Sequence, residues 1–74
     1  MTKITIFSLE PMDIFDFNDF DNIAFRTWKT IPEELKKRYN GIETVVMDDE
    51  GGSIAITWKG KPTKEYFIEE MELI

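Results

Sequence analysis

Apolar and polar positions alternate through Lys3–Phe7, where Ile4 and Ile6 flank Thr5, and this two-residue period predicts a strand. Pro11 either ends that strand or opens the next element. Over residues 13–28 the period changes. Ile14, Phe17, Ala24 and Trp28 fall on a helical stripe, with Phe20 and Phe25 beside it, which predicts an amphipathic first helix. Asp and Asn are weak helix formers, so an irregular turn over part of residues 10–21 is the competing expectation. Thr30-Ile-Pro-Glu33 predicts a second helix, with Thr30 as cap, Glu33 closing a capping box and Pro32 in the first turn. Leu35 and Tyr39 then share one face, and Asn40-Gly41 is a stop signal.

The second half of the chain returns to a period of two. Ile42–Met47 predicts a strand, and Asp48-Asp-Glu-Gly-Gly52 a turn with the backbone freedom of a hairpin. Ser53–Trp58 alternates cleanly, with Ile54, Ile56 and Trp58 on one face. Lys59–Thr63 is a loop. Lys64–Ile74 fits a strand or a helix. The strand is preferred, because Tyr66-Phe-Ile68 is rich in strand formers and follows a hairpin-length loop. The expected fold is α+β in the order β-α-α-β-β-β: a small antiparallel sheet of three to four strands with one or two helices packed on one face.

Length makes residues 1–74 a single small domain with a thin stability margin. A hydrophobic content of 42% with 14% aromatics supports a folded core. Net charge is −6, a field that works against nucleic acid and anionic membranes and attracts basic surfaces. The chain has neither Cys nor His, which removes disulfides, thiolate nucleophiles, Cys-based zinc sites and the commonest general base. The run Ile4–Leu9 is too short and too polar for a signal peptide, and no stretch approaches the ~20 apolar residues of a membrane span, so the expected location is cytoplasmic.

Charge is unevenly placed. Between Lys3 and Arg26 there is no cation, and that gap holds Glu10, Asp13, Asp16, Asp19 and Asp21 interleaved with Phe15, Phe17 and Phe20. Phe favours burial and Asp resists it, so the segment is expected to turn acid outward from an apolar footing. An EF-hand loop starting at Asp16 fails, with Asp21 at the glycine position and Thr27 at the bidentate one. No other metal or cofactor motif is present. Asp48, Asp49 and Glu50 sit on an exposed turn, where nothing shifts a carboxylate toward acid–base work. Phosphate-cradling loops and nucleophile elbows are absent. Trp28 beside Arg26 and Lys29, and Trp58 beside Lys59 and Lys61, resemble stacking platforms for single-stranded nucleic acid, but two core anchors are the simpler reading.

Two readings of the Asp/Phe run stand side by side. In one it is a solvated helix face. In the other it is an acidic decoy, with Asp13, Asp16, Asp19 and Asp21 as one row of carboxylates, Asp48, Asp49 and Glu50 as a second, and Glu69, Glu70 and Glu72 as an extension. The size, acidity and lack of Cys resemble those of small phage-encoded inhibitors that imitate DNA. Examples are the uracil-DNA glycosylase inhibitors, blockers of bacterial nucleoid proteins and some acidic anti-CRISPR proteins. The likeness is one of composition and carries over no residue. It implies a stoichiometric inhibitor, often a homodimer, acting in a host cytoplasm. The leading expectation is therefore a non-enzymatic acidic binding protein that occupies the nucleic-acid-binding surface of a basic partner. The alternative is a structural or regulatory interaction module acting through an apolar patch or a sheet edge.

Overall fold

The computed structural model describes residues 3–73. Four strands and one helix follow in the order β1 (Ile4–Pro11), α1 (Ile31–Arg38), β2 (Ile42–Met47), β3 (Ser53–Trp58) and β4 (Lys64–Leu73). They form one antiparallel sheet in the spatial order β1-β4-β3-β2. The α+β class and the strand at the C-terminal end hold. The order β-α-α-β-β-β does not: the first of the two expected helices is absent, and residues 12–30 run as irregular chain with short turns.

That helix fails for a local reason. Asp13 Oδ1 accepts the Phe15 N–H at 2.9 Å, and Asn18 Oδ1 accepts the Phe20 N–H at 2.9 Å. These side-chain caps give the backbone partners that a helix would otherwise supply, which is how Asp and Asn compete with helix formation. The stripe of apolar residues is therefore broken up: Phe20 and Phe25 are buried, whereas Ile14, Phe17 and Ala24 are exposed. The helix that does form differs at its start from the capping-box expectation. Thr30 makes no side-chain cap, and its hydroxyl bonds instead to Thr27 O (3.5 Å) and Glu34 Oε2 (3.3 Å).

The helix and the 12–30 segment cover one face of the sheet. The core there consists of Leu9, Phe20, Phe25, Ile31, Leu35, Ile54, Ile56 and Tyr66. Ile54, Ile56 and Trp58 point inward from β3, as its alternation requires. In β1 the inward residues are Phe7 and Leu9, which leaves Ile4 and Ile6 on the outer face. Strand β1 also runs four residues past Phe7, because ten-residue β4 offers partners out to Pro11, opposite Tyr66. Pro11 is tolerated because the odd-numbered residues of β1 turn their backbone groups away from β4, as shown by the paired bonds of Phe7 with Phe25 at 2.8 Å.

The β2–β3 turn is fixed by a contact with the 23–30 segment. Gly51 has φ +74°, and a Cβ there would lie 2.7 Å from Cδ2 and Cε3 of Trp28. Gly60 has φ +76° in open space. Gly51→Ala is expected to lose at least about 2 kcal/mol in urea unfolding, from the left-handed backbone plus displacement of the Trp28 ring, and Gly60→Ala only about 1 kcal/mol. Equal losses would show that the Trp28 contact contributes nothing.

Candidate functional site

Chain leaving β1 is anchored at both ends and free in the middle. The Met12 N–H donates to Glu65 O (3.0 Å), the Asp16 N–H to Asp13 O (3.0 Å), and Asn18 Nδ2 to Leu9 O (2.9 Å). Phe20 is then driven into an aromatic cluster, with ring centroids 5.1 Å from Tyr39, 5.2 Å from Tyr66 and 6.0 Å from Trp58. Between these anchors Ile14, Phe15 and Phe17 stand 86%, 90% and 74% exposed. The expectation that the Phe residues face inward thus holds for Phe20 and fails for Phe15 and Phe17. Three large apolar side chains held in water on a short, hydrogen-bonded loop add nothing to the core.

Carboxylates around this loop divide into two environments. On one side Asp16 and Asp19 share a cavity of about 540 Å³ with Tyr39, Trp58, Lys61 and Lys64. Lys64 Nζ lies 3.8 Å from Asp19 Oδ2, so acid and base offset each other there. On the other side Glu10, Asp13 and Asp16 line a shallow hollow of about 250 Å³ with Ile14 and Asn18, and no cation borders it. Glu10 is also hydrogen-bonded to Glu69, its diagonal neighbour across the β1–β4 ladder, and that bond together with Glu10's negative charge holds the Glu69 carboxyl above the usual range. Glu69, Glu10, Asp13 and Asp16 therefore form a continuous acidic strip, bordered by Ile14, Phe15 and Phe17.

The sign of the Glu69 effect follows from linkage. A carboxyl raised in the folded state contributes stability below its unfolded pKa and loses that contribution as pH rises through the folded value. When both carboxyls of the Glu10–Glu69 pair are ionised they repel each other, and a cation placed beside them would relieve that repulsion.

The seven acids expected to form the site lie on two separate segments. Asp13, Asp16, Asp19 and Asp21 lie on the loop, all exposed. Asp48, Asp49 and Glu50 lie on the β2–β3 turn at the opposite end of β3, a distance of about 17 Å for a six-residue strand. Asp48 there shapes the turn, its N–H donating to Ser53 O (2.9 Å) and its carbonyl accepting from Gly51 (2.9 Å). Glu10 was missing from the expected set because β1 was expected to end before it. The signal that finds it is register, since only the pairing of Glu10 with Phe67 places it beside Glu69.

Among the described residues no group of three acids is placed to hold a metal ion, and no helix is long and apolar enough to cross a membrane. Behind the cavity, Tyr66 is fully buried and its hydroxyl has no protein hydrogen-bond partner. Burial, with Asp19 and Asp16 adding, pushes its pKa up to about 12. The raised value makes its contribution to stability intact below pH 10 and lost as pH rises toward 12, a loss of less than about 3 kcal/mol. Tyr66→Phe is expected to keep or slightly raise stability at pH 7, since it removes an unsatisfied hydroxyl, and to flatten the fall in melting temperature between pH 10 and 12. A loss above about 1 kcal/mol at pH 7 would show that the hydroxyl is satisfied in solution. Comparison with protein-family models, curated proteins and solved structures gives no match.

Proposed function

We propose that the protein is a non-enzymatic acidic binding protein that occupies the basic surface of a nucleic-acid-handling partner. The observation that carries this reading is the acidic strip Glu69–Glu10–Asp13–Asp16, running along a hollow that no cation lines and bordered by exposed Ile14, Phe15 and Phe17. Carboxylates steer a basic surface into encounter, and the apolar side chains along the strip supply the holding energy. Duplex DNA offers its binders a dense row of negative charge, and an acidic strip on a pinned loop competes for the same lysines and arginines.

The test uses immobilised protein and the fraction of a bacterial lysate that binds DNA-cellulose. Saturable capture of a polypeptide that duplex DNA releases is the expected result. Glu10→Lys with Asp16→Lys is expected to weaken capture at least tenfold, mainly through slower association, and added salt to act in the same direction. Capture unaffected by the double substitution, or by DNA, would overturn the proposal.

A further inference from the structure

Strand β4 is ten residues long, yet β3 pairs only with its first part, from Lys64 to Phe67. The Ile68 N–H closes that ladder by donating to Gly52 O at 3.0 Å. From Glu69 to Leu73 the edge of β4 opposite β1 has no partner among the described residues. A ribbon of two strands, Ile4–Phe7 with Glu70–Leu73, thus extends beyond the body of the sheet.

Backbone directions on that edge follow from the strand period. Ile68 turns its N–H toward the β3 side, so Glu70 and Glu72 do the same, while Met71 and Leu73 turn theirs toward β1. The unpaired N–H and C=O groups of the edge therefore belong to two glutamates. Their side chains lie on the face of Phe7 and Thr5, their partners in register, and Met71 and Leu73 lie on the other face with Ile6 and Ile4. Met71 and Leu73 are about half exposed.

We infer that this edge accepts an added strand from a basic partner protein, with Lys or Arg opposite Glu70 and Glu72 and apolar residues opposite Met71 and Leu73. Main-chain hydrogen bonds would supply affinity and the alternating side chains specificity. Charge decides against a second copy. Every two-fold antiparallel register that pairs the outward groups of Glu70 and Glu72 with their counterparts sets glutamate against glutamate, and like charges directly opposite destabilise a ladder. Of the sheet's two edge strands, β2 carries no Lys or Arg to meet them head to tail, and β1 is already bridged on its outward side by Phe25 at Phe7. Glutamates on an edge are a known guard against self-pairing, but they repel anionic strands and admit cationic ones. Lys3 Nζ, 3.8 Å from Glu72 Oε2, already shows a cation seated at this place, and both groups are exposed enough for that pair to exchange. This surface is separate from the Glu10–Asp16 strip and stands or falls without it.

The experiment is backbone amide exchange by NMR on the whole chain, with a capped heptapeptide alternating lysine and valine as probe. Saturating peptide is expected to slow exchange at Glu70 and Glu72 about tenfold or more, with Met71 and Leu73 changed little because β1 already holds them. Glu70→Pro keeps the β1 ladder, since its N–H faces the free edge, and is expected to abolish the slowing. A peptide methylated at the edge-facing nitrogens should also fail, as should a glutamate–valine peptide. Phe15→Ser with Phe17→Ser should leave the slowing intact. No slowing at Glu70 and Glu72, equal slowing by the glutamate–valine peptide, or protection that rises with protein concentration without peptide would each overturn the inference. Peptide protection confined to residues 10–17 would overturn it while leaving the acidic strip as the binding site.

Discussion

Phe20→Ala is expected to remove about 3–5 kcal/mol of stability, read as a fall in the urea midpoint. At ~0.05–0.15 kcal/mol per residue, a chain of this length has about 4–11 kcal/mol in total, so the variant would lose between about a third and all of its stability. The magnitude follows from position. Phe20 is buried at the centre of a ring cluster, edge-on to Tyr39 and Tyr66 and stacked on Trp58, so truncation opens a cavity on three sides. It also removes the buried end of the loop anchored at Asn18, so residues 12–19 should lose amide protection along with the core. A loss below about 1 kcal/mol would mean that the cluster repacks without Phe20.

The opposite result is expected one and three residues before Asn18. Phe15→Ser with Phe17→Ser should leave the melting temperature within about 2 °C of the parent, because both rings stand in water and surface substitutions rarely exceed about 0.5 kcal/mol. Affinity for the captured partner is expected to fall about 100-fold, the loss of two apolar anchors at about 1.4 kcal/mol each. The divergence between stability and binding is the informative feature. A solvated loop with no partner would show neither effect, and a core role for these rings would show both.

Strand β3, helix α1, the β2–β3 turn and the strand at the C-terminal end were legible because local chemistry and tertiary packing agree there. Ile54, Ile56 and Trp58 alternate onto the buried face, and Leu35 falls on the packed side of a short helix bounded by Pro32 and Gly41. The helix expected over residues 13–28 is absent and the irregular turn held as its alternative over part of 10–21 is present, because spacing and side-chain chemistry disagree there. Ile14, Phe17 and Phe20 have helical spacing, but Asp13 and Asn18 bond to the backbone two residues on and break the run into turns. Strand β1 was read from its alternation only as far as Phe7. Its inward residues are Phe7 and Leu9, and the isoleucines at 4 and 6 lie where the sheet has no covering layer. The acidic strip depends on that extension. It is a product of register between β1 and β4, more than sixty residues apart in sequence at Ile4 and Leu73, and no local pattern encodes it.

The central claim is that one face, running from Glu69 through Glu10 to Asp16 with Phe15 and Phe17 at its border, meets the basic partner. The most direct measurement is a backbone amide NMR titration of the labelled chain with the partner captured on DNA-cellulose. The account predicts signal loss or shift concentrated at Glu10–Phe17 and Glu69, reversed by duplex DNA and absent in the Glu10→Lys/Asp16→Lys chain. Perturbation confined to the Asp48–Glu50 turn or to helix α1, with residues 10–17 unmoved, would contradict it.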